Sequence, residues 1–122
     1  MGLFISRKKK TKKNLLKMIP QFKQGIHTET RKDDKVYLMI PRTNPIERLS
    51  IRFLKQPSFF PVKLDGLGTF VAAQIDGTKK IEDIAAGLER AFGEEAAPVV
   101  PRLAKFIEML EMNDWIIWRE EN

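Results

Sequence analysis

Residues 64–84 read LDGLGTFVAAQIDGTKKIEDI, a stretch with two apolar segments of helical spacing on either side of a turn. Asp65 precedes the first segment, and its carboxylate can accept a backbone N–H at a helix start. Gly77 follows that segment, where glycine readily takes the positive φ that ends a helix. The second segment opens at Ile81, so the stretch predicts two short helices joined by a glycine-containing turn.

The chain after this stretch continues as helices and a short apolar segment. The second helix has an apolar stripe that ends near Phe92, just before Gly93. A third helical pattern runs over residues 98–112, and Asn113 is predicted as its left-handed cap. The predicted core stripe of this third helix consists of Val100, Leu103, Ile107 and Leu110. Residues 115–118 then predict a short strand or a packed extended segment.

The chain before this stretch predicts a small antiparallel sheet. β-Branched and aromatic residues at 36–40 and the alternation at 49–54 are typical of strands, and a third strand is predicted over residues 60–64. Strands that precede helices, without strand–helix alternation, indicate an α+β fold. The helix pair beside a small sheet indicates a winged helix-turn-helix-like architecture, with a three-stranded antiparallel sheet followed by three helices.

Basic residues are concentrated at the amino-terminal end of the chain. Residues 1–28 hold eight of the 22 lysines and arginines and none of the 16 acidic residues, so the rest of the chain is slightly acidic. The like-charge run at 7–13 repels itself and stays solvated, and Pro20 interrupts any helix that follows it. We therefore predict a disordered basic tail over residues 1–28 and a winged-helix domain over residues 29–122.

The composition argues against catalysis and cofactor chemistry. The chain has no cysteine and a single histidine, His27, which removes thiolate zinc sites, iron–sulfur clusters and cysteine nucleophiles. Adjacent carboxylates such as Glu94-Glu95 point apart and have no His or Ser motif beside them. No apolar run is long enough to span a bilayer, and no signal-peptide pattern is present. We expect a cytoplasmic binding protein that is not an enzyme and holds no cofactor.

A family resemblance rests on an ordered set of motifs. The set comprises the quoted residues 64–84, Leu88-x-x-x-Phe92-Gly93 and the closing Asp114-Trp115-Ile116. Over roughly residues 33–118 this set resembles the PqqD-like family, whose members are chiefly bacterial. Many members have Thr or Ser at the position of Lys80, whose side chain cannot cap the second helix in the same way. The resemblance implies a peptide-recognition element, or peptide chaperone, of pathways that modify ribosomally made peptides (RiPPs).

Such a domain binds the leader segment of a precursor peptide and presents it to a modifying enzyme, usually a radical SAM protein. The resemblance implies that the leader adds as a strand to a sheet edge beside the third helix, where N–H and C=O groups are exposed. Pro61 cannot donate and must lie where its missing N–H is not needed. The predicted peptide-binding residues are Phe59, Phe60, Val62, Lys63 and Leu64 on the strand and Arg102, Lys105, Phe106 and Met109 on the helix. Basic side chains suit an acidic leader, whereas Phe106 and Met109 at helical spacing also fit a purely structural role in the core.

The sequence leaves other partners open. A winged helix with a lysine-rich arm also occurs in DNA-binding proteins, but Glu82, Asp83 and Glu89 on the second helix oppose entry into a major groove. The start of the chain matches a myristoylation pattern, and residues 1–17 predict weak contact with an anionic membrane surface in addition to peptide binding. An exposed sheet edge can also pair with its own copy, which would give a homodimer.

Overall fold

The computed structural model describes residues 15–41 and 59–119 of the chain. Its strands are β1 (Ile19–Phe22), β2 (His27–Thr30), β3 (Val36–Pro41), β4 (Phe59–Leu64) and β5 (Ile116–Arg119). Its helices are α1 (Gly66–Gln74), α2 (Ile81–Phe92) and α3 (Val99–Met112), with a 3₁₀ turn at Gly93–Ala96. Antiparallel strands come before three helices, which confirms the predicted α+β, winged-helix-like class.

The larger sheet has the strand order β2-β3-β4, and both pairings are antiparallel. Two of its strands, β3 and β4, lie where the sequence predicts them. The third described strand is β2, whose first two residues fall in the segment predicted as a tail. The strand predicted over residues 49–54 lies outside the described residues.

A bulged turn joins β2 to β3. Asp34 takes a positive φ of 64° at the bulge. The neighbouring Asp33 carboxylate accepts hydrogen bonds from the Lys35 N–H and the Tyr37 hydroxyl, both at 3.0 Å. The hydrogen bond from the Lys35 N–H contributes most to lowering the pKa of Asp33. The hydrogen bond to the Asp33 carboxylate raises the pKa of Tyr37. The turn is thus held by a carboxylate that remains charged at neutral pH.

The second sheet corrects the predicted domain boundary. Strand β1 pairs antiparallel with β5, with Ile19 opposite Arg119, and Leu15 is 7% exposed within the main core. Residues 15–28 are therefore part of the packed domain and not of a disordered tail. The prediction was wrong there because charge dominated the interpretation, while Pro20 is accommodated in an extended strand instead of breaking a helix.

The core lies between the helices and one face of the larger sheet. Its most completely buried side chains include Leu38 of β3, Ile81 and Ile84 of α2, and Ile107 and Leu110 of α3. These positions follow the apolar stripes of the sequence, since each helix buries the face that its 3.6-residue period defines.

The start of α1 agrees with the prediction, and the start of α2 adds a contact that the sequence did not predict. Asp65 caps α1 as expected, accepting the Gly68 N–H at 2.7 Å. The start of α2 is satisfied by the Met18 carbonyl, which accepts the Ile81 N–H at 2.9 Å. The Asp83 carboxylate also accepts the N–H of Lys80 at 3.1 Å. The amino-terminal segment thus satisfies one of the unpaired N–H groups at the start of α2, that of Ile81, which a Thr or Ser side chain at position 80 would not reach.

Two residues of α3 and its cap differ from their predicted roles. Val100 is 38% exposed and lies outside the core stripe, and the neighbouring Val99 is the first-turn residue that packs against the core. Asn113 has φ −87°, and the left-handed residue is the following Asp114, at 65°. The chain therefore reverses one residue later than predicted. None of the helices within the described ranges is both long and apolar enough to cross a membrane.

Candidate functional site

The hairpin between β2 and β3 determines which backbone groups of the larger sheet point outward. The Arg31 N–H donates to the Lys35 carbonyl, and the Arg31 carbonyl accepts from the Asp34 N–H, both at 2.9 Å. These are the two bonds of a bulged pair. Backbone groups alternate in direction along an antiparallel strand, so every second residue from Val36 onward faces β4.

On β4 the residues opposite those positions are Leu64, Val62 and Phe60. The backbone groups of Phe59, Pro61 and Lys63 therefore point away from β3. They form the outer edge of β4, with which no described strand pairs. Pro61 lies where its missing N–H costs the sheet no hydrogen bond, and the outer edge offers N–H groups only from Phe59 and Lys63.

The side chains of Phe60, Val62 and Leu64 face the helices. Leu64 is buried in the core, and Val62 packs against it. The Phe60 ring lies 6.1 Å from the Trp115 ring in an edge-on arrangement and is 39% exposed. The sequence gives no local signal for the contact between Phe60 and Trp115, because it depends on how the chain after α3 returns towards the sheet.

The side chains of Phe59 and Lys63 lie on the opposite face. The Phe59 ring packs edge-on against His27 at 5.3 Å, and Lys63 is exposed. What these two residues offer at the outer edge is therefore their backbone. The sequence predicts both as peptide-binding residues but does not indicate whether the backbone or the side chain makes the contact.

Helix α3 approaches the end of β4 through Phe106. A Cβ at Gly68 would lie 3.5 Å from the Phe106 ring and 3.6 Å from the Leu64 Cβ, so these three residues meet at one point. A glycine inside a helical pattern is a signal of such close approach. Gly68 is therefore a residue of this region that the sequence could have indicated and that periodicity alone missed.

A cavity of about 160 Å³ adjoins this meeting point. Its apolar lining includes Leu67, Val71, Leu88, Leu103 and Phe106. Asp65 and Arg102 also line it, and both have partners, since Asp65 caps α1 and Arg102 donates to the Glu95 carbonyl at 2.8 Å. Cavities of this size with apolar walls can hold a benzene-sized group.

The remaining predicted residues of α3 divide between solvent and core. Arg102 and Lys105 are exposed, and they provide positive charge on this helix. Met109 and Phe106 are half-buried and pack against the core. Their structural role is therefore shown, and any peptide contact would use only the exposed part of each side chain.

A wider depression lies between α1 and α2, on a different part of the surface. It is lined by Phe70, Gln74, Lys79, Asp83, Gly87, Arg90 and Ala91. Lys79 pairs with Asp76 at 3.1 Å, and the exposed side of α2 also presents Glu89. This mixed-charge surface has neither the outward-facing strand backbone nor the apolar cavity of the β4 region. Within residues 15–41 and 59–119, no group of three or more His, Asp or Glu is placed to hold a metal ion.

Comparison with known protein families gives a match over the candidate site. Residues 60–116 match the family model described as Coenzyme PQQ synthesis protein D (PqqD). The matched span runs from β4 through all three helices to the first residue of β5, so it contains most of the outer edge and the whole of α3. The resemblance stated from the motifs is thereby confirmed over these residues. Neither the curated proteins nor the solved structures contain a significant match.

Proposed function

We propose, from the match of residues 60–116 to the PqqD family model, that the protein is a non-catalytic adaptor for a precursor peptide. The leader segment of the peptide adds as a strand to the outer edge of β4. The adaptor then presents the peptide to a modifying enzyme, such as a radical SAM protein.

The observation that carries the proposal is the direction of the β4 backbone. Phe59, Pro61 and Lys63 turn their carbonyls, and two of them their N–H groups, away from the sheet. An extended peptide can satisfy these groups with main-chain hydrogen bonds, which give affinity with little dependence on sequence. Side-chain selection then falls to the apolar region around Phe106.

The charges near this edge favour an acidic leader. Lys63, Arg102 and Lys105 are exposed, and opposite charges across an interface chiefly raise the association rate. We expect Arg102→Glu with Lys105→Glu to slow association and to reduce its dependence on salt. Lys32→Glu, at an exposed position in the β2–β3 turn, is the control with the same kind of charge reversal.

A nucleic-acid-binding role has less support. The second helix would have to enter the major groove, and its exposed residues include Asp83 and Glu89 beside Arg90. Glu82 on the same helix pairs with Lys17 at 3.2 Å. A helix surface of this composition is repelled by phosphate groups. The predicted membrane contact through residues 1–17 lies almost wholly outside the described residues.

The test is an NMR titration of the full-length, isotope-labelled chain with the precursor peptide encoded beside its gene. We expect shifts of the Phe59 and Lys63 amides and of residues 102–109. Lys63→Pro removes an outward N–H and should weaken binding, whereas Lys63→Ala isolates the effect of the side chain. Thr28→Pro is the matched control, because it removes an outward N–H from the opposite edge of the same sheet.

Two results would overturn the proposal. One is an equal loss of peptide affinity in Thr28→Pro and Lys63→Pro. The other is the absence of any peptide shift, together with shifts of residues 78–92 on addition of a short DNA duplex at physiological salt.

A further inference from the structure

The centre of the outer edge is occupied by a residue without an N–H. We propose that Pro61 makes this edge accept a peptide strand in preference to the β4 strand of a second copy of the protein. The inference rests on the proposed function for its peptide half, while its self-association half concerns the protein alone.

The outer edge of β4 presents its hydrogen-bonding groups at three residues. Phe59 and Lys63 each offer an N–H and a carbonyl, whereas Pro61 between them offers only a carbonyl. In an antiparallel pair, two opposed residues of this kind exchange two hydrogen bonds. The two ends of the edge can therefore both donate and accept hydrogen bonds, whereas its middle can only accept them.

A peptide strand centred on Pro61 loses one hydrogen bond. The peptide residue opposite Pro61 can still donate its N–H to the proline carbonyl, and only its own carbonyl is left to solvent. The peptide residues opposite Phe59 and Lys63 must have N–H groups and so cannot be proline. The residues between them turn their side chains towards the same face as Phe60 and Val62, next to the helices.

A second copy of β4 loses more. Two-fold pairing centred on Pro61 puts one proline opposite the other, so two hydrogen bonds are missing and two carbonyl oxygens face each other. Pairing centred on Lys63 avoids this but places two lysines directly opposite, and like charges in that position are destabilising. Proline and lysine on an edge strand both disfavour edge-to-edge association.

The size of the effect follows from the number of bonds. A hydrogen bond contributes about two- to tenfold to an equilibrium constant. Pro61→Val supplies the missing N–H, so it should raise peptide affinity about two- to tenfold. It should raise the self-association constant by roughly the square of that factor, because both copies gain a donor.

The experiment is sedimentation equilibrium of the full chain over a range of concentrations. We expect Pro61→Val to dimerise at concentrations at which the wild type is monomeric, and Pro61→Val with Lys63→Pro to be monomeric again. Pro41→Val is the matched control. Pro41 lies in the central strand β3, and its backbone hydrogen-bonding groups, like those of Met39, point away from β4.

The proposal is overturned if Pro61→Val sediments like the wild type, or if Pro41→Val dimerises equally. Titration of Pro61→Val with the precursor peptide is read separately. If the wild type binds no peptide while Pro61→Val dimerises, the proposed function fails and the edge-selection role of Pro61 stands. If peptide affinity falls in Pro61→Val, then the peptide strand does not pair with the outer edge at Pro61 in the way proposed, with one hydrogen bond missing.

Discussion

Removal of residues 1–28 is expected to unfold or severely destabilise the domain, although these residues carry the charge pattern of a dispensable tail. Leu15 and Ile19 are 7% and 9% exposed, and burial of a side chain of this size contributes about 1.5–3 kcal/mol. The two together therefore contribute about 3–6 kcal/mol. The deletion also removes β1 from its pairing with β5 and the Met18 carbonyl from the start of α2.

This loss is comparable with the whole stability of a small domain, which is about 5–15 kcal/mol. The measurement is urea unfolding followed by tryptophan fluorescence, for which Trp118, opposite Pro20 in the β1–β5 pair, is a suitable reporter. Ile19→Ala should lower the free energy of unfolding by about 2–5 kcal/mol. Ile117→Ala, on the partner strand but 45% exposed, should lower it by less than about 1 kcal/mol.

An unchanged unfolding midpoint for residues 29–122 would refute this reasoning. So would equal effects of Ile19→Ala and Ile117→Ala. The first result would mean that the amino-terminal segment contributes nothing to the fold and that the boundary at residue 28 is right. The second would mean that burial of Ile19 is not the source of its contribution.

Three further predictions concern local structure. Asp65→Ala should lower the free energy of unfolding by about 1 kcal/mol through loss of the α1 cap. Asp65→Asn should lower it much less, since asparagine also caps, and equal losses of stability in denaturant unfolding would contradict this. Hydrogen bonds from Thr78 and Lys79 lower the pKa of Asp76 from 3.8 to about 2. A shift of this size contributes at most about 2.5 kcal/mol to the free energy of unfolding. Solvent screening at this half-exposed carboxylate reduces the contribution to about 1 kcal/mol. Because the folded-state pKa is the lower one, this stability is present above pH 4 and is lost as pH falls towards 2, so unfolding curves of wild type and Asp76→Asn should differ at pH 5 and converge by pH 2. Gly77→Ala should lower the melting temperature, because φ is +86° and the new Cβ would lie 3.1 Å from Gln21, whereas Gly66→Ala, with open space around it, should not.

The helices were predictable because their signals are local. The cap at Asp65, the glycine at position 77 and the apolar stripe from Ile81 each lie within a few residues of the structure they determine. The β1–β5 pairing had no such signal. Strand β1 is only four residues long and contains a proline, and the partner that stabilises it is at the other end of the described chain.

The candidate site was predictable in its residues and not in its geometry. The family resemblance implied a strand edge and the third helix, and the structure brings Leu64 and Phe106 together around Gly68. Which backbone groups point outward depends on the bulge at Asp34, because one extra residue in the turn exchanges inward and outward positions along β3 and β4. Neither composition nor periodicity contains that information.

The pairing of β1 with β5 has a consequence for how the domain is made. Ile19 can meet Arg119 only after nearly the whole described chain has been synthesised, so β1 lacks its partner strand until then. Closing a loop of this length carries an entropic cost that local contacts do not repay. We therefore expect the three-stranded sheet and the helices to form first, and β1 and β5 to pair last.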